Sequence, residues 1–190
     1  YGTKLKLGTS APISDTPVFY VTPENSDTKI LRYYWRGRVY DQYEDGQWTN
    51  TSSMGQIFNP QDQEMNLVDE LTRVEMNFTI TMNFPKQDLL YAPSEIIWVN
   101  KEGRIEFQPL DDNIREVQAW FADPSLVAGD RYEVRALIAN PTIQELRFAG
   151  TDYPAWVTER YLQVPPKMEA QLKELAEEIT AQYQKKKKKA

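Results

Sequence analysis

The densest group of carboxylates in the sequence is Asp111-Asp112 with Glu116, and Glu106 stands a short way upstream. Paired carboxylates serve as the acid and base of glycoside hydrolysis or as ligands of Ca²⁺. The Asp-x-Asp-x-Asp-Gly spacing of a calcium loop is missing, so a solvated loop is the simpler reading. Glu44-Asp45 before Gly46 reads as a turn before it reads as a cation site. The sequence contains no Cys and no His, which removes thiol nucleophiles, disulfides, zinc–thiolate sites and imidazole bases. Ser, Thr, Asp, Glu, Lys and Tyr remain able to do chemistry, yet there is no glycine-rich phosphate loop and no Gly-x-Ser-x-Gly elbow. No catalytic residue, metal site or cofactor is expected.

Binding chemistry is better represented. The stretch YWRGRVYDQYEDGQW, Tyr34 to Trp48, concentrates Trp, Tyr, Arg and acidic or amide side chains. Read at period two, Leu31, Tyr33, Trp35, Gly37 and Val39 fall on a face that can be buried in a sheet. Arg32, Tyr34, Arg36, Arg38 and Tyr40 fall on the other as an outward ladder of cations and rings. One reading is an aromatic strand and turn that lock a corner of a β-domain. The other is a ligand platform of Tyr34, Arg36, Arg38, Tyr40 and Trp48, able to stack on sugar rings or on a partner protein.

The elements that would position these residues follow from periodicity. Residues 1–15 read as an extended lead-in, and Val18–Val21 as a short strand after the Asp15-Thr16-Pro17 turn signal. The polar segment 50–69 reads as a long connection with a short helix near its end. Val74, Met76, Phe78, Ile80, Met82 and Phe84 alternate against polar neighbours, which predicts a half-buried antiparallel strand ended by Pro85. Ile96–Val99 and Arg104–Phe107 flank Asn100-Lys101-Glu102-Gly103, the pattern of a hairpin. Val117, Ala119 and Phe121 alternate before Asp123-Pro124, and Tyr132, Val134, Ala136 and Ile138 after Gly129-Asp130. About eight strands predict a mainly β fold (α+β overall), an antiparallel β-sandwich or open barrel over residues 1–140, followed by C-terminal helices.

The period changes at Asn140-Pro141. Thr142 and Glu145 stand as a capping box, and Gly150 falls where that helix would stop. Asp152 is placed to cap a second short helix with Pro154 early in it. After Pro165-Pro166, Met168, Leu172, Leu175, Ile179 and Tyr183 form one stripe of an amphipathic helix in a helical segment spanning 141–184. This stripe needs a partner: the sheet, a downstream part of the polypeptide, or a second copy in a homodimer.

The 190 residues suffice for one sizeable core. The formal charge of −6 includes Lys185–Lys189, and without this tail 17 basic residues face 28 acidic ones. An acidic body of this kind argues against nucleic acid as a partner. The tail, 185–190, reads as a solvated end or an artefact before it reads as a grip on acidic lipid or RNA. Asn50-Thr51-Ser52 and Asn77-Phe78-Thr79 fit the glycosylation pattern, the second incidentally within a strand. The longest run of large apolar residues, Ile96–Val99, is far short of a membrane span. The opening at Tyr1 without Met leads us to expect a piece of a longer chain.

Three blocks carry a family resemblance: LGTSAPISDTPVFYV (7–21), YWRGRVYDQYEDGQW (34–48) and LRFAGTDYPAWVTERYLQVPPKMEAQLKELAEEIT (146–180). In order and spacing they resemble the extracytoplasmic segment of bacterial membrane-anchored transglutaminase-like proteins. In that family a β-rich part precedes a papain-like Cys-His-Asp core. The resemblance implies a non-catalytic, extracytoplasmic (periplasmic or cell-surface) scaffold that positions a downstream catalytic core and meets the membrane only through its parent protein. Met168, Leu172, Leu175, Ile179 and Tyr183 would then face that core. No Cys or His is present to receive the catalytic motif, and the sequence departs into oligolysine where the family would continue toward its nucleophile. The alternative is a β-sandwich module that binds cell-wall glycan or protein.

Overall fold

The computed structural model describes residues 4–8, 14–24, 33–51, 53–61, 73–110 and 115–187, the last six of these as backbone only. In chain order the strands are β1 (Lys4–Lys6), β2 (Phe19–Pro23), β3 (Trp35–Arg36), β4 (Gln42–Glu44), β5 (Gln47–Thr49), β6 (Met54–Phe58), β7 (Arg73–Met82), β8 (Gln87–Leu89), β9 (Ala92–Pro93), β10 (Glu95–Val99), β11 (Gly103–Pro109), β12 (Arg115–Leu126) and β13 (Arg131–Ala139). Three helices follow, α1 (Ile143–Phe148), α2 (Ala155–Tyr161) and α3 (Pro166–Lys187).

Two four-stranded antiparallel sheets, ordered β10-β13-β7-β2 and β6-β11-β12-β8, face one another, and neither closes into a barrel. Their inner faces share one core, with Met76, Phe78, Ile80 and Met82 of β7 and Tyr132, Val134, Ala136 and Ile138 of β13 on one side. Phe58, Ile105, Phe107 and Trp120 supply the other. Strict alternation along β7 and β13 puts every second side chain inward, so nine residue pairs, Arg131↔Thr81 to Ala139↔Arg73, lock the register. The alternation stops before Phe84, which lies beyond the end of β7 and is 47% exposed. The predicted inward set is therefore five residues long rather than six.

The hairpin predicted across Asn100–Gly103 is not one. Its first strand, β10, pairs with β13, whereas β11 pairs with β12 and β6 in the opposite sheet. The four residues are a corner that carries the chain from sheet to sheet. A hairpin signal fixes a turn but not the partner of each arm, and core packing chose otherwise. Likewise β12 does not end at Asp123-Pro124 but runs through that cis bond to Leu126. The polar stretch 50–69 contains β6, an edge strand on β11, and its expected short helix lies outside the described residues. The extended lead-in contains β1, which pairs with β5.

Asp45 and Gly46 both take positive φ, 48° and 78°, in the two-residue turn of the β4–β5 hairpin. That conformation matches the twist of the flanking strands and favours Asp-Gly. The capping box at α1 forms as the sequence implies: the Glu145 amide donates to Thr142 Oγ1 (3.2 Å), and the Thr142 amide donates to the Glu145 carboxylate (2.6 Å). The Thr142 amide, and after it the Thr142 hydroxyl donating at 2.7 Å, hold the exposed Glu145 carboxyl below its ordinary pKa. Asp152 does not cap α2, whose N-cap is Pro154 without a side-chain bond.

Candidate functional site

The residues from Tyr33 to Thr51 form three short strands rather than one straight strand. Before the β4–β5 hairpin, only Trp35 and Arg36 pair as a strand, on β9. Arg38 then makes a single bridge to Ala119, and the Val39 amide donates to the Gln118 carbonyl (2.9 Å). Because the chain twists away after two residues, the period-two faces do not persist. Trp35, expected inside, stays 38% exposed while its ring meets Phe78 edge-on at 6.2 Å and Phe19 at 5.2 Å. Tyr33 packs on the core, and Val39 is half-buried.

The five platform residues consequently part company. Tyr34 is 76% exposed, and Arg36 pairs with Glu95 at 3.7 Å beside Arg73, which binds the same carboxylate. Arg38 is not outward: its side chain is 4% exposed, bonded to Glu106 and placed 5.9 Å from the Tyr40 ring and 5.7 Å from that of Phe121. Glu106 also takes the half-exposed Arg104, whose guanidinium lies 4.4 Å from the Phe121 ring. Trp48 sits on β5 against Tyr43, 5.1 Å between centroids. Leu31 and Arg32 lie outside the described residues, as do Asp111 and Asp112.

Behind this segment lies a buried polar hub. Asp41 is almost fully covered, and its carboxylate accepts from the Thr51 amide (2.8 Å), Thr51 Oγ1 (2.7 Å) and Gln108 Nε2 (2.8 Å). The Asp41 carbonyl accepts at 2.8 Å from Nε2 of Gln163, a residue that follows α2. On the same side of the body, Glu116 receives Arg160 at 3.0 Å and the Tyr161 hydroxyl. Burial, followed by the bond to Glu116, pushes the Tyr161 hydroxyl pKa upward, so it remains a donor through the ordinary pH range. α2 is thereby seated on the sandwich by three side chains from one short stretch. Sequence spacing alone groups Glu116 with a solvated carboxylate loop and misses this seat. The signal that points to it is the row Arg160, Tyr161 and Gln163, a cation and two hydrogen-bonding side chains around a helix end.

Downstream, the described apolar side chains of α3 are exposed. Met168 and Leu172 are more than a third exposed, and Leu175 and Ile179 half exposed, so the stripe does not fold back on the sheet. Tyr183 belongs to the helix, but its side chain is outside the described set.

One core position is polar without compensation. Gln118 occupies the bulge where β11–β12 pairing shifts between Glu106↔Ala119 and Phe107↔Val117, and both its amide atoms are buried with no partner among the described residues. An unpaired buried amide costs more than it contributes. Gln118→Leu is therefore expected to raise unfolding stability by about 1–2 kcal/mol. A urea midpoint that falls instead would show the amide to be satisfied in solution.

Among the described residues, no group of His, Cys, Asp or Glu is arranged to hold a metal ion, and no helix is long and apolar enough to cross a membrane.

Comparison with known families decides what this architecture belongs to. The family model for the TgpA N-terminal domain matches residues 2–143. The chain belongs to the TgpA N-terminal domain family. TgpA is a transglutaminase-like protein, and the matched part precedes its catalytic core. The first two sequence blocks lie inside the TgpA match, and the third, with α2 and α3, lies beyond it. A TgpA N-terminal domain, distinct from the catalytic core, fits a non-catalytic part. No curated protein and no solved structure matches the chain.

Proposed function

We propose that this TgpA N-terminal domain is a non-catalytic, extracytoplasmic scaffold of a membrane-anchored bacterial parent, and that it fixes the direction in which the polypeptide leads into the catalytic core. The observation that carries this reading is the seating of α2. Tyr161 and Arg160 on Glu116, and Gln163 on the Asp41 carbonyl, fasten the chain to the sandwich just before α3 begins. The Asp41 end of the seat is itself anchored by Thr51 and Gln108. The apolar stripe of α3, unoccupied by the sandwich, is the surface on which the core packs. An isolated helix face of this kind gains by burial in proportion to its apolar area.

The absence of Cys simplifies the test, because spin labels can be placed at will. Labels at Glu133→Cys on β13 and Lys173→Cys on α3 should give a narrow distance distribution. Adding Glu116→Gln with Tyr161→Phe removes charge-assisted bonds that contribute about 1–3 kcal/mol, and the distribution should broaden. Equal widths in both proteins would overturn the seat as an orienting device. Separately, amine incorporation by the domain above a heat-inactivated control would overturn the non-catalytic reading.

A further inference from the structure

Among the described residues the outer edge of β2 is open, and its chemistry specifies what would fill it. The Val18 carbonyl accepts from the Asn83 amide (2.9 Å) and the Glu24 amide donates to the Asn77 carbonyl (3.0 Å), in register with Tyr20↔Thr81 and Thr22↔Thr79. The even-numbered residues therefore spend their backbone groups on β7. By the alternation of an antiparallel ladder, Phe19, Val21 and Pro23 turn theirs to the opposite side. β2 is the last strand of its sheet, so that side offers the N–H and C=O of Phe19 and Val21 and the C=O of Pro23. Pro23, having no N–H to offer, marks where pairing must stop.

A hollow of about 250 Å³ opens beside this edge, where β2 and β8 border the seam between the two sheets. Val18, Phe19, Trp35, Phe84, Gln87 and Tyr91 line it. Phe19 stacks on Tyr91 at 5.3 Å, which leaves rings rather than polar groups on its walls. The volume suits one large apolar side chain. The exposed carboxylate of Glu24 directly follows β2, and exposed Asp15 lies in the segment that leads into it, so charge complementarity favours basic flanks on whatever binds.

We infer that β2 receives an extended peptide segment of another protein, which pairs with the backbone of Phe19 and Val21 and drops an apolar side chain into the Trp35–Phe84–Tyr91 hollow. Alternate N–H and C=O groups at strand spacing are matched by an extended backbone and by little else, and the adjacent hollow reads one side chain on the inward face of that backbone. This binding site is independent of the α2 seat and goes beyond the scaffold role.

The probe is a set of end-capped peptides Lys-Thr-X-Thr-Leu-Thr-Lys, with X as Leu, Ile, Phe, Tyr or Trp, titrated into the full chain and followed by amide NMR. Binding should slow hydrogen exchange at Phe19 and Val21 and shift Trp35. Methylating the peptide nitrogens that face β2 should weaken binding by about tenfold or more, since main-chain bonds are lost while side chains remain. Val21→Pro should do the same, and the fold should tolerate it because that N–H is unused by β7. Phe84→Ser should reduce the preference for large X without exposing β7. Failure of every peptide at millimolar concentration, equal binding of methylated and plain peptides, or protection of Phe19 and Val21 in the free protein would overturn the proposal. A peptide-independent dimer abolished by Val21→Pro would overturn it in favour of a second copy.

Discussion

Glu106→Ala is expected to destabilise the domain by about 3–5 kcal/mol, the cost of leaving a buried cation without its counter-charge. Arg38 is enclosed by Tyr40, Phe121 and Glu106, and its Nε already lacks an acceptor among the described residues. Removing the carboxylate would strand the guanidinium where water does not reach. Arg104 shares the same carboxylate but is half exposed, and water can replace that bond, so Arg104→Ala should cost only about 0–1 kcal/mol. The joint change Arg38→Met with Glu106→Leu should recover most of the loss, because it removes both the charge and its partner. Urea unfolding of the parent chain and these variants gives the comparison. Equal midpoints for the Glu106 and Arg104 variants would mean that Arg38 is solvated after all.

Phe78→Ala should cost about 3–5 kcal/mol, whereas Phe84→Ala should stay within about 1 kcal/mol. Phe78 is fully buried at the middle of β7, with Tyr33 edge-on at 5.3 Å and Trp35 at 6.2 Å. Its truncation leaves a cavity that the paired strands on both sides prevent from collapsing. Phe84 lies past the strand with one side in solvent. Both belong to one unbroken alternation in the sequence, so this contrast separates pattern from environment. Thermal or denaturant midpoints that move equally for the two would contradict the boundary of β7.

The strength of that alternation is why β7 and β13 are legible in the amino-acid sequence. A half-buried strand must repeat every two residues, and Val74–Met82 and Tyr132–Ile138 do. The capping box at Thr142 and the Asp45-Gly46 turn are equally legible, because each is satisfied within four residues by its own side chains and φ angles. The family too is readable from blocks of local sequence, two of which lie within the matched range. The corner at Asn100–Gly103 is not. Nothing in those four residues states that one neighbour pairs with β13 and the other with β12. The stretch around Arg38 misleads for a related reason: period-two reading assumes a continuing strand, and this one lasts two residues before a bridge and a twist.

By itself, then, the sequence determined the class of fold, the inward faces of its two best strands, the local caps and turns, and the exclusion of thiol and imidazole chemistry. Each of these depends on residues a few positions apart or on composition alone. The tertiary structure alone decided which strands share a sheet and that Arg38 is buried on Glu106, 68 residues away. It likewise brought Glu116 to Arg160 and Tyr161 and, among the described residues, left the edge of β2 open beside a ring of aromatic side chains. These are long-range pairings, set by how two twisted sheets close over a common core, and no local pattern encodes the partner across such separations.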